Sequence, residues 1–304
     1  MGSTYSVEVA DCTQADCSQL EAALSERLEE LEQLLSHYRT DSELSAFNQY
    51  SGSDWFDVST DLATVVEYSL EVSRSSNGAF DITVAPAVDA WGFGPAEVTE
   101  PPDDAAIART RSLIDYQQLS ARLSPPALRK TNPKVTINLS ALAKGYAVDQ
   151  LALLLESRSI GNYLLEIGGE VRVAGLRPDG KPWRIGIEPP DGGLDIEFIV
   201  TPGSESVATS GDYRNFYIEN GERISHTISP AEAEPVKNTL ASVSVITPSA
   251  MQADALATML MVLGSDRAQA WASENKTPVL MILREENSFR SVSNDEFDAY
   301  LINK

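Results

Sequence analysis

Apolar residues recur at helical spacing in some stretches of the chain and alternate at strand spacing in others. Between residues 14 and 37, Leu20, Leu24, Leu28, Leu31 and Leu35 fall three or four apart, with acidic residues between them. This predicts a packing helix with one buried stripe. A second helix is predicted over Thr60–Ser75, with Leu62, Val65, Val66 and Leu70 inward and Asn77-Gly78 as its stop. A third runs from Ser249 to Gly264, and a shorter one covers 266–272. Strands are predicted at 4–10, 134–138, 183–187, Phe198–Val200, 241–247 and 278–283. Residues 162–175 read as two strands joined at a Gly168-Gly169 corner, which permits close backbone approach.

Between these elements lie polar or turn-rich segments. Residues 38–48 offer Asp41 or Ser42 as a helix cap. Trp91 and Phe93 sit among Gly and Pro, which reads as a rigid aromatic loop with a strong case for plain core packing. Residues 96–133 are rich in Pro and charge. They read as a peripheral insertion holding one short helix at 104–114.

The third helix carries the first candidate chemistry. Asp254 and Thr258 are four apart, so their oxygens share a face that is otherwise small and apolar, with Ala250, Ala257 and Met261. A buried, unpaired carboxylate is costly, and a hard cation such as Mg2+ would explain one there. The competing reading is a surface Asp and a Thr bonded to its own helix backbone. Ahead of it, the 134–138 strand is predicted to run into a helix beginning near Leu139-Ser140. Such a junction offers free N–H groups and a positive dipole end, and Lys144 adds charge. Asp81 and Thr83 are polar groups in an apolar context, as is Glu166. His226 is one of two histidines. A lone histidine is commonly structural, so both a catalytic and a loop-holding role stay open. His37, at the end of the first helix, is read as part of a packing element.

Composition narrows the choice. The chain has 304 residues and a formal net charge of -22, which opposes nucleic-acid phosphates and fits a solubilising surface. No apolar run reaches the length of a membrane helix. Cys12 and Cys17 lack a matching Cys/His set for zinc, and a local disulfide between them stays open. No signal peptide or lipobox cysteine is visible in the sequence.

Eight blocks, in order along the chain, resemble the ApbE family of FAD:protein FMN transferases. They are Met1-Gly-Ser-Thr-Tyr5, Ser42-Glu-Leu-Ser45, Gly78-Ala-Phe-Asp-Ile-Thr-Val-Ala-Pro86 with Trp91-Gly-Phe-Gly-Pro95, Leu139-Ser-Ala-Leu-Ala-Lys-Gly-Tyr-Ala-Val-Asp149, Glu166-Ile-Gly-Gly-Glu170, Ala208-Thr-Ser-Gly-Asp-Tyr-Arg-Asn-Phe216, Ser225-His226, and Ala253-Asp-Ala-Leu-Ala-Thr258. The resemblance implies an α+β fold: mostly antiparallel sheets with helices packed outside, in a single two-lobed unit. It implies that FAD is bound with Mg2+ and that its FMN half passes to a threonine of a target protein as AMP leaves. A Mg-dependent FAD pyrophosphatase and a non-catalytic flavin carrier are the alternatives.

By the same resemblance, Mg2+ falls to Asp254, Thr258 and the carbonyl of Ala141. Flavin contacts fall to Met1, Tyr38, Ala79, Phe80, Asp81, Asn138, Lys144 and Ile228. His226 is the candidate proton acceptor, and Asp254 counts with it as catalytic. The expected partner is an acceptor subunit of a membrane redox complex carrying an Asp-Gly-Ala-Thr-like motif. The expected location is the periplasmic face of the cytoplasmic membrane. Two positions depart from the family pattern: Ser229 and Asn138 stand where Asp is common, and each removes a carboxylate near the expected flavin site.

Overall fold

The computed structural model describes residues 3–10, 14–95, 98, 100–190, 198–213, 215–219, 221–286 and 288–302. Met1 and the possible partner Cys12 lie outside them. The chain is α+β and divides into two compact units, one of residues 1–28, 144–214 and 238–304, the other of 29–143 and 215–237.

The first unit is built on a seven-stranded sheet in which every neighbouring pair is antiparallel. Its order is Tyr5–Val9, Tyr163–Ile167, Glu170–Ala174, Ser206–Gly211, Leu240–Thr247, Val279–Arg284 and Phe289–Ser293. Leu240–Thr247 is buried at every position, as a central strand covered on both faces must be. The helix Ala250–Leu263 packs on this strand and on Ser206–Gly211. A cluster around Trp183, Val173, Val207, Ile246 and Phe297 makes a second apolar body. The Gly-Gly corner is as expected, with Gly168 and Gly169 both at positive φ between two paired strands.

The second unit holds the helix Thr60–Ser75, whose observed limits match the predicted ones. Ser59 caps it through the N–H of Leu62, and its stop, Asn77-Gly78, has φ of 52° and 79°. Leu62, Val65, Val66 and Leu70 are buried. Ser42 is a cap, but of a further short helix, Glu43–Gln49, that the polar composition concealed. Likewise Ile82–Val84 is a 3-10 turn leading into the helix Ala85–Ala90. Residues 96–133 contain the helix Asp104–Arg111 and, beyond it, the strands Leu119–Leu123 and Pro126–Lys130. These two join Phe56–Asp57 in a three-stranded sheet, and Ala127 and Leu128 are fully buried. This part of the segment is therefore core rather than appendage.

The strand expected at 134–138 is not one. Residues 135–139 have no regular structure and pair with no strand among the described residues. Asn138 N donates to Ile82 O at 2.8 Å, and two side chains, Asn48 and Lys130, hold Ile137 and Val135. The Asn48 amide donates to Ile137 O at 2.9 Å and accepts from Ile137 N at 2.8 Å. The buried Lys130 Nζ donates to Val135 O at 2.9 Å and to Asn48 O at 3.0 Å. The apolar alternation that reads as a strand is real, but its ladder is replaced by an amide and an ammonium. The following helix starts at Ala143, not near Leu139, because residues 140–142 form a turn closed by Leu142 and Ala143 N–H on Leu139 O.

Candidate active site

Within the first unit, the helix Ala250–Leu263 presents Asp254 and Thr258 on one face. Ser249 caps its start and Gly264, at φ 75°, closes its end, as its sequence demands. Ala250, Ala257 and Met261 on that side are buried. Asp254 is 3% exposed, so the surface-carboxylate reading fails. Thr258 Oγ1 lies 3.1 Å from Ser210 Oγ, so the hydroxyl is held across to a strand.

What faces Asp254 was only half legible. Its Oδ2 accepts from Gly145 N at 3.1 Å, and its Oδ1 is 4.0 Å from Lys144 Nζ. The same ammonium is 2.5 Å from Glu170 Oε1. Glu170 is itself buried, and its Oε2 has no hydrogen-bond partner among the described residues. Burial first, and then the charge of Asp254, push the Glu170 carboxyl upward, while Lys144 pulls it down. Burial likewise raises Asp254, against the stabilising Lys144 and the Gly145 N–H. Two buried carboxyls thus share one ammonium, and a hard cation would favour the ionised forms that burial opposes. Among the described residues no three His, Cys, Asp or Glu side chains converge. Mg2+ needs no such cage, because it is commonly held by one or two carboxylates with phosphates and water completing its shell. The donor set present therefore fits Mg2+.

Two further residues hold this cluster in place, and neither was assigned a role from sequence. Gly145 has no room for a side chain, since a Cβ there would meet Ala250 O at 2.2 Å. Asp149 accepts from the backbone N–H of Ala250 and Met251, each at 3.0 Å, and from Ser249 Oγ at 2.7 Å. It also takes Arg172 Nη1 at 2.6 Å. Asp149 thereby closes the N-terminus of the helix that carries Asp254. Gly168, at φ 63°, leaves no room for a side chain either: a Cβ there would meet Ser3 Oγ at 2.5 Å and lie 3.3 Å from Lys144 Cδ.

The remaining candidates lie in the second unit. Asn138 Oδ1 accepts from Ser140 N at 2.8 Å, shaping the turn that contains Ala141. His37 lies beyond the end of its helix at Leu35, with its Nε2 3.4 Å from Asn138 Nδ2 and its Nδ1 3.5 Å from Ser140 Oγ. Burial depresses its pKa to about 4. A neutral ring fits this setting, with Nε2 accepting from the Asn138 amide. His37 thus belongs to the Asn138–Ser140 turn rather than to helix packing. Tyr38, beside it, is 55% exposed, and its ring is 3.9 Å from that of His37.

Asp81 is engaged through both oxygens: Oδ1 takes Thr83 N and Oγ1, and Oδ2 takes Tyr116 N at 2.9 Å. Its carboxyl is raised by burial in spite of those bonds. Phe80 is buried, and Ala79 is half-buried beside it. Ile228 is buried in a cluster with Ala87 and Ala233, against which Trp91 and Phe93 pack. His226 Nδ1 is 3.0 Å from Asn215 O. A carbonyl can only accept, so Nδ1 carries the proton and the ring's lone pair is on Nε2. Ser229, at the position of the missing carboxylate, is buried.

Comparison with known proteins agrees on one family. The model of the ApbE family matches residues 1–282. The FAD:protein FMN transferase of Vibrio cholerae is 41% identical over 304 residues, covering 99% of this chain and 90% of that one. The Escherichia coli K12 enzyme of the same name is 33% identical over 308 residues, covering 100% and 88%. Among solved structures, a histidine-to-glycine variant of the flavin transferase ApbE from Vibrio cholerae superposes with a TM-score of 0.92 at 41% identity, covering 99% and 97%. The Pseudomonas stutzeri flavinyl transferase ApbE, in its apo form, gives 0.86 at 32%, covering 98% and 97%.

Proposed function

This chain belongs to the ApbE family and is an FAD:protein FMN transferase, and from that premise we propose that it is Mg2+-dependent, modifies a threonine, and releases AMP. The observation that carries the reading is the cluster of Lys144 with the buried Glu170 and Asp254, with Thr258 one helical turn beyond Asp254. Phosphoryl transfer asks a protein chiefly for positioning and charge neutralisation. Asp254 and Thr258 hold the cation, with the Ala141 carbonyl added by family likeness. When bound, Mg2+ neutralises the FAD pyrophosphate and draws charge from the breaking bond. Lys144 adds a second positive charge toward the phosphates.

The acceptor threonine oxygen attacks the phosphorus of the FMN half. The bond from that phosphorus to the AMP oxygen breaks, and AMP leaves. His226 Nε2 takes the threonine proton, since Nδ1 is committed to Asn215 O. Met1, Tyr38, Ala79, Phe80, Asp81, Asn138 and Ile228 are assigned to the flavin by family likeness. Asp81 Oδ2, with one bond, keeps a second lone pair for such a contact. The acceptor is read as a subunit of a membrane redox complex with an Asp-Gly-Ala-Thr-like motif, and the site of action as the periplasmic face of the membrane.

Incubation with FAD, Mg2+ and an acceptor carrying that motif tests the reading. In-gel flavin fluorescence on the acceptor is expected. Free FMN without labelling would make the protein a pyrophosphatase, and intact bound FAD would make it a carrier. His226→Ala is expected to lower transfer about 10²–10⁴-fold with FAD affinity kept. An unchanged rate and pH profile would remove His226 from the proton path.

A further inference from the structure

Glu170 has no role in the scheme above, yet it is the most expensive residue in the cluster. It is 3% exposed on a strand whose other buried positions, Val171 and Val173, are apolar. One carboxylate oxygen is spent on Lys144 and the other is left without a hydrogen bond among the described residues. A sheet gains nothing from such a group, and an unsatisfied buried oxygen costs stability. The distances show what it does to the lysine. Lys144 Nζ is at 2.5 Å from Glu170 and at 4.0 Å from Asp254. Asp254 instead receives a neutral donor, the Gly145 N–H. The stem of Lys144 passes over Gly168, where any side chain would crowd it. The lysine is thus guided by one residue and tethered at its tip by another.

We infer that Glu170 is a positioning residue that tethers Lys144, so that Asp254 keeps its charge for a divalent cation instead of forming a close pair with the lysine. Both charges are thereby available at once: the ammonium for phosphate and the carboxylate for metal. Without the tether, the ammonium closes on Asp254, the other buried carboxylate within 4.0 Å of it among the described residues. The inference rests on the proposed use of Asp254 as a cation ligand.

The test is a double-mutant cycle read by binding. MgCl2 is titrated calorimetrically into the full chain, saturated with FAD and without acceptor, and melting temperatures are recorded alongside. Glu170→Gln is expected to weaken Mg2+ binding about tenfold, the scale of coupling between contacting groups. Lys144→Met alone should not weaken it, because that change removes a competitor for Asp254. In the Lys144→Met background, adding Glu170→Gln should have less than a twofold effect. An equal loss in both backgrounds would mean that Glu170 acts on the cation directly, and no loss in either would mean a purely structural carboxylate. Each outcome overturns the inference. Glu170→Asp, which keeps the charge but shortens the reach, gives an intermediate loss that again requires Lys144, and it serves if the glutamine variant does not fold. Asp254→Asn separates the two levels: unchanged Mg2+ binding there would sink the metal site itself, whereas lost binding with an additive cycle would sink only the tether.

Discussion

Two lysines in this protein, one fully buried and one half-buried, are held in opposite ways. Lys130, in the second unit, is fully buried and gives its ammonium to two backbone carbonyls, with the Phe47 ring 5.2 Å away. No carboxylate pairs with it among the described residues, and the carbonyls it meets belong to the segments it fastens. Lys144, in the first unit, faces two carboxylates that together outweigh it, one with an oxygen unmatched. The first arrangement is locally complete and asks for nothing more. The second leaves a carboxylate oxygen unmatched among the described residues, and the proposed cation and phosphate would complete it. The two lysines differ in burial, and the state of their partners separates them further.

The sharpest way to break this contrast is at Asp254. Asp254→Asn keeps the shape and should reduce Mg2+-dependent transfer at least about a hundredfold, the scale of losing a main electrostatic stabiliser. Its melting temperature should stay close to that of the parent, as checked by calorimetry. Full activity at low Mg2+ would place the cluster with Lys130 as mere structure. Next comes Lys130→Ala, which strands two buried carbonyls and should cost about 1–3 kcal/mol of stability. Denaturant titration should show that loss, while turnover per folded molecule changes little.

A smaller effect is expected for Lys144→Ala. FAD affinity should fall about tenfold and riboflavin affinity should not, since riboflavin lacks the phosphates that a charge-assisted contact would hold. Equal losses, measured by flavin fluorescence, would make the lysine a packing stem like any other. A further effect is in pH. Burial depresses Lys130 to about 8 in the folded protein, below its ordinary value of 10.5. The unfolded chain then binds more protons at this site between those values, so its contribution to stability rises with pH from about 8 to 10.5. The difference in unfolding free energy between the parent and Lys130→Met, followed across that window, should grow in the parent's favour.

Elements whose ends are written locally were legible. Thr60–Ser75 has a serine before it and Asn-Gly after it, and the helix from Ala250 to Leu263 has Ser249 and Gly264. The shared face of Asp254 and Thr258 followed from spacing alone. What could not be read was supplied from afar. The 135–139 segment alternates like a strand, but Asn48, far back in the sequence, takes the ladder's place. The helix Glu43–Gln49 hid in polar composition, and the strands at 119–130 hid among charges. The last strand, Phe289–Ser293, and the short helix after it were missed because half of that strand is exposed and polar. Glu170 and Asp149 stood inside recognised blocks, yet their tasks depend on partners that only folding brings near. Their one sequence signal was a carboxylate flanked by valines and alanines.

The bonds between the two helices that frame the cluster obey a reciprocal pattern. Gly145 donates to Asp254, and four residues on, Asp149 accepts from Ala250, which stands four residues before Asp254. One turn of each helix is thus pinned to one turn of the other at both ends, running in opposite senses. Gly145 brings the backbones close enough for this to work. Such a fixture has no slack: sliding either helix by a turn, about 5.4 Å, would unmake every bond at once instead of stretching one. The position of Asp254 is consequently set by gauge rather than by adjustment. The chain can vary widely in its outer loops without moving that carboxylate, whereas inserting a single residue between Gly145 and Asp149 would throw the whole gauge out.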